Sequence, residues 1–203
     1  MRVIIMCKAP VPGKVKTRLS PAYSHKQAAD MHRIMAEMVI RKVTRLFDDV
    51  QIAADNPTHP FFNSFASPIV AQGAGDLGAR MTRLMQQTFE AGADGLMFIG
   101  TDSPHMSDSR LLQVALELGR YDVVIGPVED GGYELIAMRQ ACPQLFEDIS
   151  WSTSLVLGET LARIKSAGLS CQTLATGFDI DTPEALQRAI DAGLELPDQN
   201  LLR

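Results

Sequence analysis

Short apolar runs alternate along the chain with longer stretches whose apolar residues recur at helical spacing. The alternation predicts βαβ units, hence an α/β three-layer sandwich with a mixed, mostly parallel sheet. We expect no helix between the fifth and sixth runs, so one of these two strands should be antiparallel to the others. The predicted strands are VIIMC (3–7), VQIAA (50–54), PIVAQ (68–72), LMFIG (96–100), DVVIG (122–126), YELIAM (133–138) and SCQTLA (170–175), and the predicted helices are 24–47, 77–91, 108–118, 153–167 and 183–192.

The segment that follows the first strand is strongly basic. Ligands of such sheets bind beyond the carboxyl ends of the strands, which is where this segment begins. Its cations, prolines and glycine predict a loop that binds phosphates, although a merely solvated basic loop is the alternative, and the Walker A spacing is absent. The candidate nucleotide-binding residues of KAPVPGKVKTRL are Lys8, Pro12, Gly13, Lys14, Lys16, Thr17 and Arg18.

Composition narrows the class of protein. The formal net charge of -5 argues against a general nucleic-acid binder, yet no acidic residue precedes Asp30, so the basic charge is localised. The three cysteines are far apart and should be reduced thiols. No apolar run is long enough for a membrane span or a signal peptide. We therefore expect one cytoplasmic domain over residues 1–203, without membrane or nucleic-acid partners.

Carboxylates follow later strands. Asp102 lies in GTDSP directly after 96–100, where its oxygens suit Mg²⁺ or Mn²⁺, although it could instead cap the following turn. Asp179 and Asp181 alternate in FDIDTP, so one of them should reach the site, and the other could cap the helix that begins at Pro183.

A second carboxylate-bearing segment separates the fifth and sixth strands. Its sequence, Glu129-Asp130-Gly131-Gly132, combines two acidic residues with two glycines that allow close approach of a ligand. These four residues are candidates for substrate binding. A tight hairpin turn has the same composition and is the alternative.

The stretch QGAGDLGAR (72–80) contains the spacing of a dinucleotide-binding fingerprint at Gly73, Gly75 and Gly78. That fingerprint normally occupies the first βα turn, which here is the basic loop, so NAD or FAD binding is disfavoured. We interpret the stretch as a nucleotide-facing loop. Asp76 and Arg80 complete its candidate binding residues.

The motifs KAPVPGKVKTRL, QGAGDLGARM, GTDSP, GPVEDGGYELIAM, ISWSTSLVL and FDIDTPEAL occur in this order. Together they resemble a bacterial GT-A-like transferase family labelled rSAM/selenodomain-associated transferase or arsenosugar-type glycosyltransferase. The family belongs with nucleotide-diphospho-sugar transferases and is similar to 2-phospho-lactate guanylyltransferases. The resemblance extends from Arg2 to about Ile190.

The resemblance implies roles for individual residues. It implies that the basic loop holds a nucleotide, that Asp102 binds a divalent cation, and that Asp181, favoured over Asp179, is its second ligand. The fifth residue of the related D-T-P-E-D-L motif is Ala185 here, which weakens any role assigned to that position but leaves Asp181 as the ligand. Trp151-Ser152-Thr153 matches the family's W-S-T, and Trp151 and Ser152 are candidates for acceptor contact.

Two reactions fit these residues, with Asp102, Lys16 and Arg18 as the candidate catalytic residues. An NDP-sugar could give its glycosyl group to a small-molecule acceptor, which the family label favours. An NTP could instead give its nucleotidyl group to a phosphorylated small molecule and release pyrophosphate, which the density of cations favours. The alternative to an enzyme is a nucleotide-binding module without catalytic activity.

Overall fold

The computed structural model describes residues 1–20 and 22–196, and each predicted strand and helix is present. The strands are β1 (Arg2–Cys7), β2 (Val50–Ala54), β3 (Ile69–Ala71), β4 (Leu96–Ile99), β5 (Val123–Pro127), β6 (Tyr133–Met138) and β7 (Cys171–Thr173). The helices are α1 (His25–Leu46), α2 (Leu77–Glu90), α3 (Asp108–Leu118), α4 (Val156–Ser166) and α5 (Pro183–Asp191). Short 3₁₀ turns at Thr17–Leu19, Pro60–Ser64 and Pro143–Phe146 were not predicted, and α4 begins three residues later than expected.

All seven strands form one sheet in the order β3-β2-β1-β4-β6-β5-β7. β6 pairs antiparallel with both β4 and β5, whereas the other pairings are parallel. The predicted mixed, mostly parallel sheet is thus confirmed. The carboxyl ends of six strands, and the amino end of β6, lie at the same edge.

Helices cover both faces of the sheet, as expected for a three-layer sandwich. Each face of the sheet has its own hydrophobic core. Alternate residues of β1 pack into different cores, because successive side chains of a strand point to opposite faces. Val3 and Ile5 pack with α1 and α3, whereas Ile4 packs with α2 and α4. A third cluster joins the first turns of α1 to α5. Within the described residues, no helix is long and apolar enough to cross a membrane.

The segment before α5 lies alongside the segment after β4. The Ile180 N–H donates to the Asp102 carbonyl at 2.9 Å, and the Ser103 hydroxyl donates to the Phe178 carbonyl at 3.0 Å. α5 is capped by the Thr182 hydroxyl, which accepts from the Ala185 N–H at 3.3 Å. The expectation that Asp179 or Asp181 caps this helix is therefore wrong, and Asp181 is free to approach Asp102.

The start of α2 packs closely against the segment that follows β6. Asp76 caps the helix, since its Oδ1 accepts from the Ala79 N–H at 2.8 Å. Gly78 is buried beneath Phe146 and Trp151, and a Cβ built on it would collide with the Phe146 carbonyl oxygen and lie 2.8 Å from Trp151 Nε1. The glycine is thus required by packing, at a position whose helical backbone any residue could adopt.

We predict that Gly78→Ala destabilises the protein by about 1–3 kcal/mol, because overpacking outweighs the better helix propensity of alanine. The matched control is Gly158→Ala in α4, where an added Cβ meets nothing within 4 Å. This control should be about 0.5–1 kcal/mol more stable than the wild type. Urea unfolding of the three proteins measures both changes. A neutral Gly78→Ala variant would contradict the packing argument.

Candidate active site

A cavity of about 540 Å³ opens at the carboxyl-terminal edge of the sheet. Its walls come from the basic loop after β1, from the end of β3 and start of α2, from the segment after β4, and from Asp181. The sequence-predicted residues that line it are Lys8, Lys14, Lys16, Thr17, Arg18, Arg80, Asp102, Ser152 and Asp181. Residues from distant parts of the chain therefore meet at the edge where the fold places ligands.

Lys16 lies at the centre of this edge and is enclosed by oxygen atoms. Its Nζ is 2.7 Å from Asp102 Oδ1, 2.8 Å from Asp181 Oδ1 and 2.7 Å from the Ile180 carbonyl oxygen. Only 3% of the Lys16 side chain is exposed, against 47% of Asp102 and 31% of Asp181. The two carboxylates predicted to share a cation do meet, and the cation between them is this ammonium.

Lys16 keeps its charge in this setting. Burial acts to lower its pKa, but Asp102 and Asp181 together raise the pKa above its ordinary value. The backbone of Lys16 is left-handed, with φ 47° and ψ 39°, a conformation that costs a non-glycine residue free energy. The surrounding contacts thus hold both the side chain and the backbone of Lys16 in one arrangement.

The other cationic side chains that line the cavity have fewer or longer contacts with the protein than Lys16 has. Lys8 and Lys14 are exposed, and in the described residues their ammonium groups have no hydrogen-bond or ion-pair partner. Arg18 is 65% exposed, with Nη1 3.5 Å from Asp181 Oδ2. Arg80 is oriented by the Gly75 carbonyl at 2.8 Å and the Gln72 Oε1 at 3.2 Å. These four side chains can receive an anion without breaking a buried ion pair.

The predicted glycine loop is filled by the protein's own side chains. Arg83 donates to the carbonyls of Gln72 and Ala74 at 2.7 and 2.8 Å, and a Cβ on Gly73 would collide with its guanidinium. Gly73, Gly75, Asp76 and Gly78 do not line the cavity, although Arg80 does. The close approach that these glycines permit is made by Arg83, Ala79 and Trp151. Pro12 and Gly13 are exposed and also lie outside the cavity lining.

The segment between β5 and β6 adopts the tight turn that was the alternative to substrate binding. The Gly131 N–H donates to the Val128 carbonyl at 3.1 Å, and Asp130 Oδ1 accepts from the Gly132 N–H at 2.8 Å. Glu129 forms a two-point ion pair with Arg188 at 2.7 and 2.9 Å, away from the cavity. A substrate contact by Glu129, Asp130, Gly131 or Gly132 remains a prediction.

A second cavity of about 120 Å³ adjoins the first, and both are lined by Gly100, Asp102 and Tyr133. Asp130, Gly132 and Asp179 also line this smaller cavity. Burial, with the nearby Asp181 and Asp130 charges, raises the pKa of Asp179 to about 6. Asp179 and Asp181 therefore occupy different environments, since only Asp181 is paired with cations.

Trp151 and Ser152 have different positions. Ser152 lines the cavity with a left-handed backbone, φ 65°, whereas Trp151 packs behind it against Tyr133 and Phe146, at ring separations of 6.4 and 6.5 Å. The structure thus leaves Ser152 available for ligand contact and gives Trp151 a packing role.

Sequence reasoning missed His32, Gln72 and Tyr133, all of which line the cavity. Gln72 is buried and donates to the Ala53 and Cys7 carbonyls at 2.8 and 3.3 Å while it orients Arg80. Because Gln72 ends the third apolar run, its position at a strand end was a usable signal. His32 lies within an amphipathic helix, where nothing in the sequence distinguishes it from a core residue.

His32 fixes the start of the basic loop. Its Nε2 is 2.9 Å from the Lys8 carbonyl oxygen, which can only accept, so Nε2 carries the proton. Its Nδ1 is buried and has no partner among the described residues. Burial is the main reason that the pKa of His32 lies below its ordinary value, so the ring is neutral.

The predicted metal site at Asp102 and Asp181 holds a side chain of the protein itself. In the part of the chain that is described, no group of three or more His, Cys, Asp or Glu side chains is arranged to hold a metal ion. The position between Asp102 Oδ1 and Asp181 Oδ1 is filled by the Lys16 ammonium. As these side chains lie, a divalent cation shared by the two oxygens does not fit beside the ammonium.

Comparison with known proteins identifies the family. The family described as an uncharacterised protein conserved in bacteria (DUF2064) matches residues 47–153, over half of the chain. The chain belongs to this family. No curated protein matches the chain.

Solved structures agree with the fold. A candidate nucleotide-diphospho-sugar transferase from Desulfovibrio desulfuricans is 32% identical, with a TM-score of 0.83 over 90% of this chain and 84% of that one. A CMP:2-keto-3-deoxy-manno-octonic acid synthetase solved with CTP is 14% identical, with a TM-score of 0.59 over 94% and 98%. A 4-diphosphocytidyl-2C-methyl-D-erythritol synthase from Anaerococcus prevotii is 11% identical, with a TM-score of 0.59 over 94% and 97%. The α/β fold of nucleotide-diphospho-sugar transferases, expected from the motifs, is confirmed.

We predict that the neutral His32 makes stability fall as the pH drops below about 6.5, the ordinary pKa of histidine. The unfolded chain then binds a proton that the folded protein excludes, so the free energy of unfolding decreases. His32→Gln keeps a donor for the Lys8 carbonyl but does not titrate. The difference in unfolding free energy between wild type and His32→Gln, measured from pH 7.5 to 5.5, should shift against the wild type on acidification.

The control for this measurement is His25→Gln, since His25 is the exposed first residue of the same helix. Its difference from the wild type should change much less over the same pH range. A wild-type protein that kept its full advantage over His32→Gln down to pH 5.5 would show that His32 titrates normally in the fold.

Proposed function

We propose that the protein is a transferase that moves a glycosyl group from an NDP-sugar to a small-molecule acceptor. The observation that carries this proposal is the cavity of about 540 Å³, in which four cations with few or weak protein contacts face the sheet edge beside the ion-paired cluster of Lys16, Asp102 and Asp181. The similarity to a candidate nucleotide-diphospho-sugar transferase at 32% identity supports the class of donor.

The diphosphate of the donor is assigned to the four cations with few or weak protein contacts. Lys8 and Lys14 offer exposed ammonium groups, whereas Arg18 and Arg80 offer planar guanidinium groups that suit phosphate oxygens. Arg80 is already oriented by Gln72 and Gly75, so little conformational freedom is lost when it binds. Leu77, which is 40% exposed at the cavity wall, offers an apolar surface to the nucleoside.

The transfer itself needs no protein nucleophile. The bond between the anomeric carbon and the phosphate oxygen breaks, a bond from that carbon to an acceptor hydroxyl oxygen forms, and the proton of that hydroxyl passes to water. Negative charge grows on the departing NDP, where the four cations stabilise it. Holding donor and acceptor together supplies the remaining rate enhancement. The acceptor is assigned to the side of Ser152 and the smaller adjoining cavity.

A second candidate function is nucleotidyl transfer from an NTP to a phosphorylated small molecule, with release of pyrophosphate. It is favoured by the number of cations, because four positive side chains with few or weak protein contacts suit a triphosphate better than a diphosphate. A nucleotide-binding module without catalysis is the third possibility. Its uncommitted cations would bind the same ligands without turnover.

We also propose that Mg²⁺ or Mn²⁺ accompanies the nucleotide, with Asp102 and Asp181 as its protein ligands once the Lys16 ammonium has left the position between them. When bound, the ion would add neutralising charge at the phosphates. None of the steps above depends on it.

The three candidate functions predict different products. Purified protein is incubated with NDP-sugars and with NTPs, each with a panel of hydroxyl and phosphate acceptors, and ³¹P NMR follows the phosphates. Glycosyl transfer predicts acceptor-dependent release of NDP. Pyrophosphate release from an NTP would replace the first proposal by the second, and tight nucleotide binding with neither product would favour the binding module.

We predict that Arg18→Ala weakens nucleotide binding by about 1.5–3 kcal/mol, because a charge-assisted hydrogen bond to phosphate is lost. Isothermal titration measures the affinity. The matched control is Lys26→Ala, which removes an 82% exposed cation of α1 that pairs with Asp30 and does not line the cavity. Equal losses in both variants would mean that Arg18 acts only through the overall charge.

A further inference from the structure

The three protons of the Lys16 ammonium are matched by three oxygen atoms. Asp102 Oδ1, Asp181 Oδ1 and the Ile180 carbonyl oxygen lie 2.7, 2.8 and 2.7 Å from Nζ. An ammonium has three N–H donors and no more. Lys16 therefore has no donor left for a phosphate while this arrangement lasts, in contrast to Lys8 and Lys14 of the same loop.

The surroundings of this ammonium resemble those of a bound metal ion. Two carboxylate oxygens and a backbone carbonyl converge on one positive charge, and these are the ligand types that Mg²⁺ and other hard cations take. The strained backbone of Lys16 and its 3% exposure show that the loop is shaped to deliver the ammonium to this point.

We infer that the Lys16 ammonium occupies the cation position of Asp102 and Asp181, so that a divalent cation binds both carboxylates only in exchange for Lys16. The inference rests on the proposed cation site, but not on which group the enzyme transfers. In the free protein the internal cation protects the carboxylates from repulsion, and it also opposes metal binding.

The exchange couples the binding of the metal ion to the binding of the nucleotide. Once displaced, the Lys16 ammonium loses its two hydrogen bonds and its ion pair with Asp102, and it needs new anionic partners, which the phosphates of a nucleotide in the same cavity supply. A bound nucleotide thus makes the metal bind more tightly, and the metal does the same for the nucleotide, since such coupling is reciprocal.

The first test measures Mn²⁺ binding by electron paramagnetic resonance without any nucleotide. Lys16→Met should bind Mn²⁺ roughly tenfold more tightly than the wild type, within the usual range of coupling between sites. Adding Asp181→Asn to Lys16→Met should abolish the gain. Lys16→Arg, which keeps the charge, should remain as weak as the wild type.

The matched control is Lys14→Met, which removes a charge from the same loop and the same cavity without emptying the position between the carboxylates. Its affinity gain should be clearly smaller than that of Lys16→Met. Equal gains in the two variants, or no gain in Lys16→Met, would overturn the exchange.

A second measurement uses the wild-type protein, in case Lys16→Met does not fold. The buried Lys16 ammonium should give a protected side-chain signal in ¹⁵N NMR, missing from Lys16→Arg. Saturation with Mg²⁺ should shift or remove this signal, and the change should be lost in Asp181→Asn. Mg²⁺ that binds through Asp181 and leaves the signal unchanged would refute the exchange.

These tests are independent of the proposed reaction. If nucleotides fail to bind the wild type while Lys16→Met gains Mn²⁺ affinity, the exchange stands and the proposed function fails. If nucleotides bind and react but Mn²⁺ affinity is the same in the wild type and Lys16→Met, the proposed function stands and the exchange fails.

Discussion

The ammonium of Lys16 joins parts of the chain that the sheet alone would leave separate. It connects the loop after β1 to Asp102, which follows β4. It also connects this loop to Asp181, which lies 165 residues after Lys16 in the sequence. The Ile180 N–H also donates a backbone hydrogen bond to the Asp102 carbonyl, which holds the two acidic segments side by side, and the ammonium offsets part of their negative charge. Without that cation, two neighbouring carboxylates at a partly buried edge would repel each other.

The order of strands and helices could be predicted because it depends on local patterns. Apolar runs and helical spacing identified each element, and the missing helix between β5 and β6 indicated the antiparallel strand. The functional edge followed from the same topology, since parallel strands bring their carboxyl ends together. Lys8, Lys14, Arg18 and Asp102 line the cavity because each follows one of these strands.

What the sequence did not reveal depends on contacts between distant residues. Lys16 has the same residue type as Lys14, two positions earlier, and only the fold makes one of them buried and the other exposed. The glycines of QGAGDLGAR match a nucleotide-binding spacing, yet the space they leave is taken by Arg83, Ala79 and Trp151. A glycine pattern indicates that other atoms approach the backbone closely, but it does not distinguish the atoms of a ligand from those of the protein itself.

The charges of the cavity explain how an acidic protein can present an anion site. Lys8, Lys14, Lys16, Arg18 and Arg80 contribute five positive charges to its lining, and Asp102 and Asp181 contribute two negative ones, which leaves three positive in a protein of net charge -5. Two bare carboxylates would weaken the attraction of this edge for phosphates. Because Lys16 offsets one of these two negative charges from within, the outer cations keep most of their effect on an approaching anion. The carboxylates can thus be retained at the centre of the site without excluding its proposed ligand.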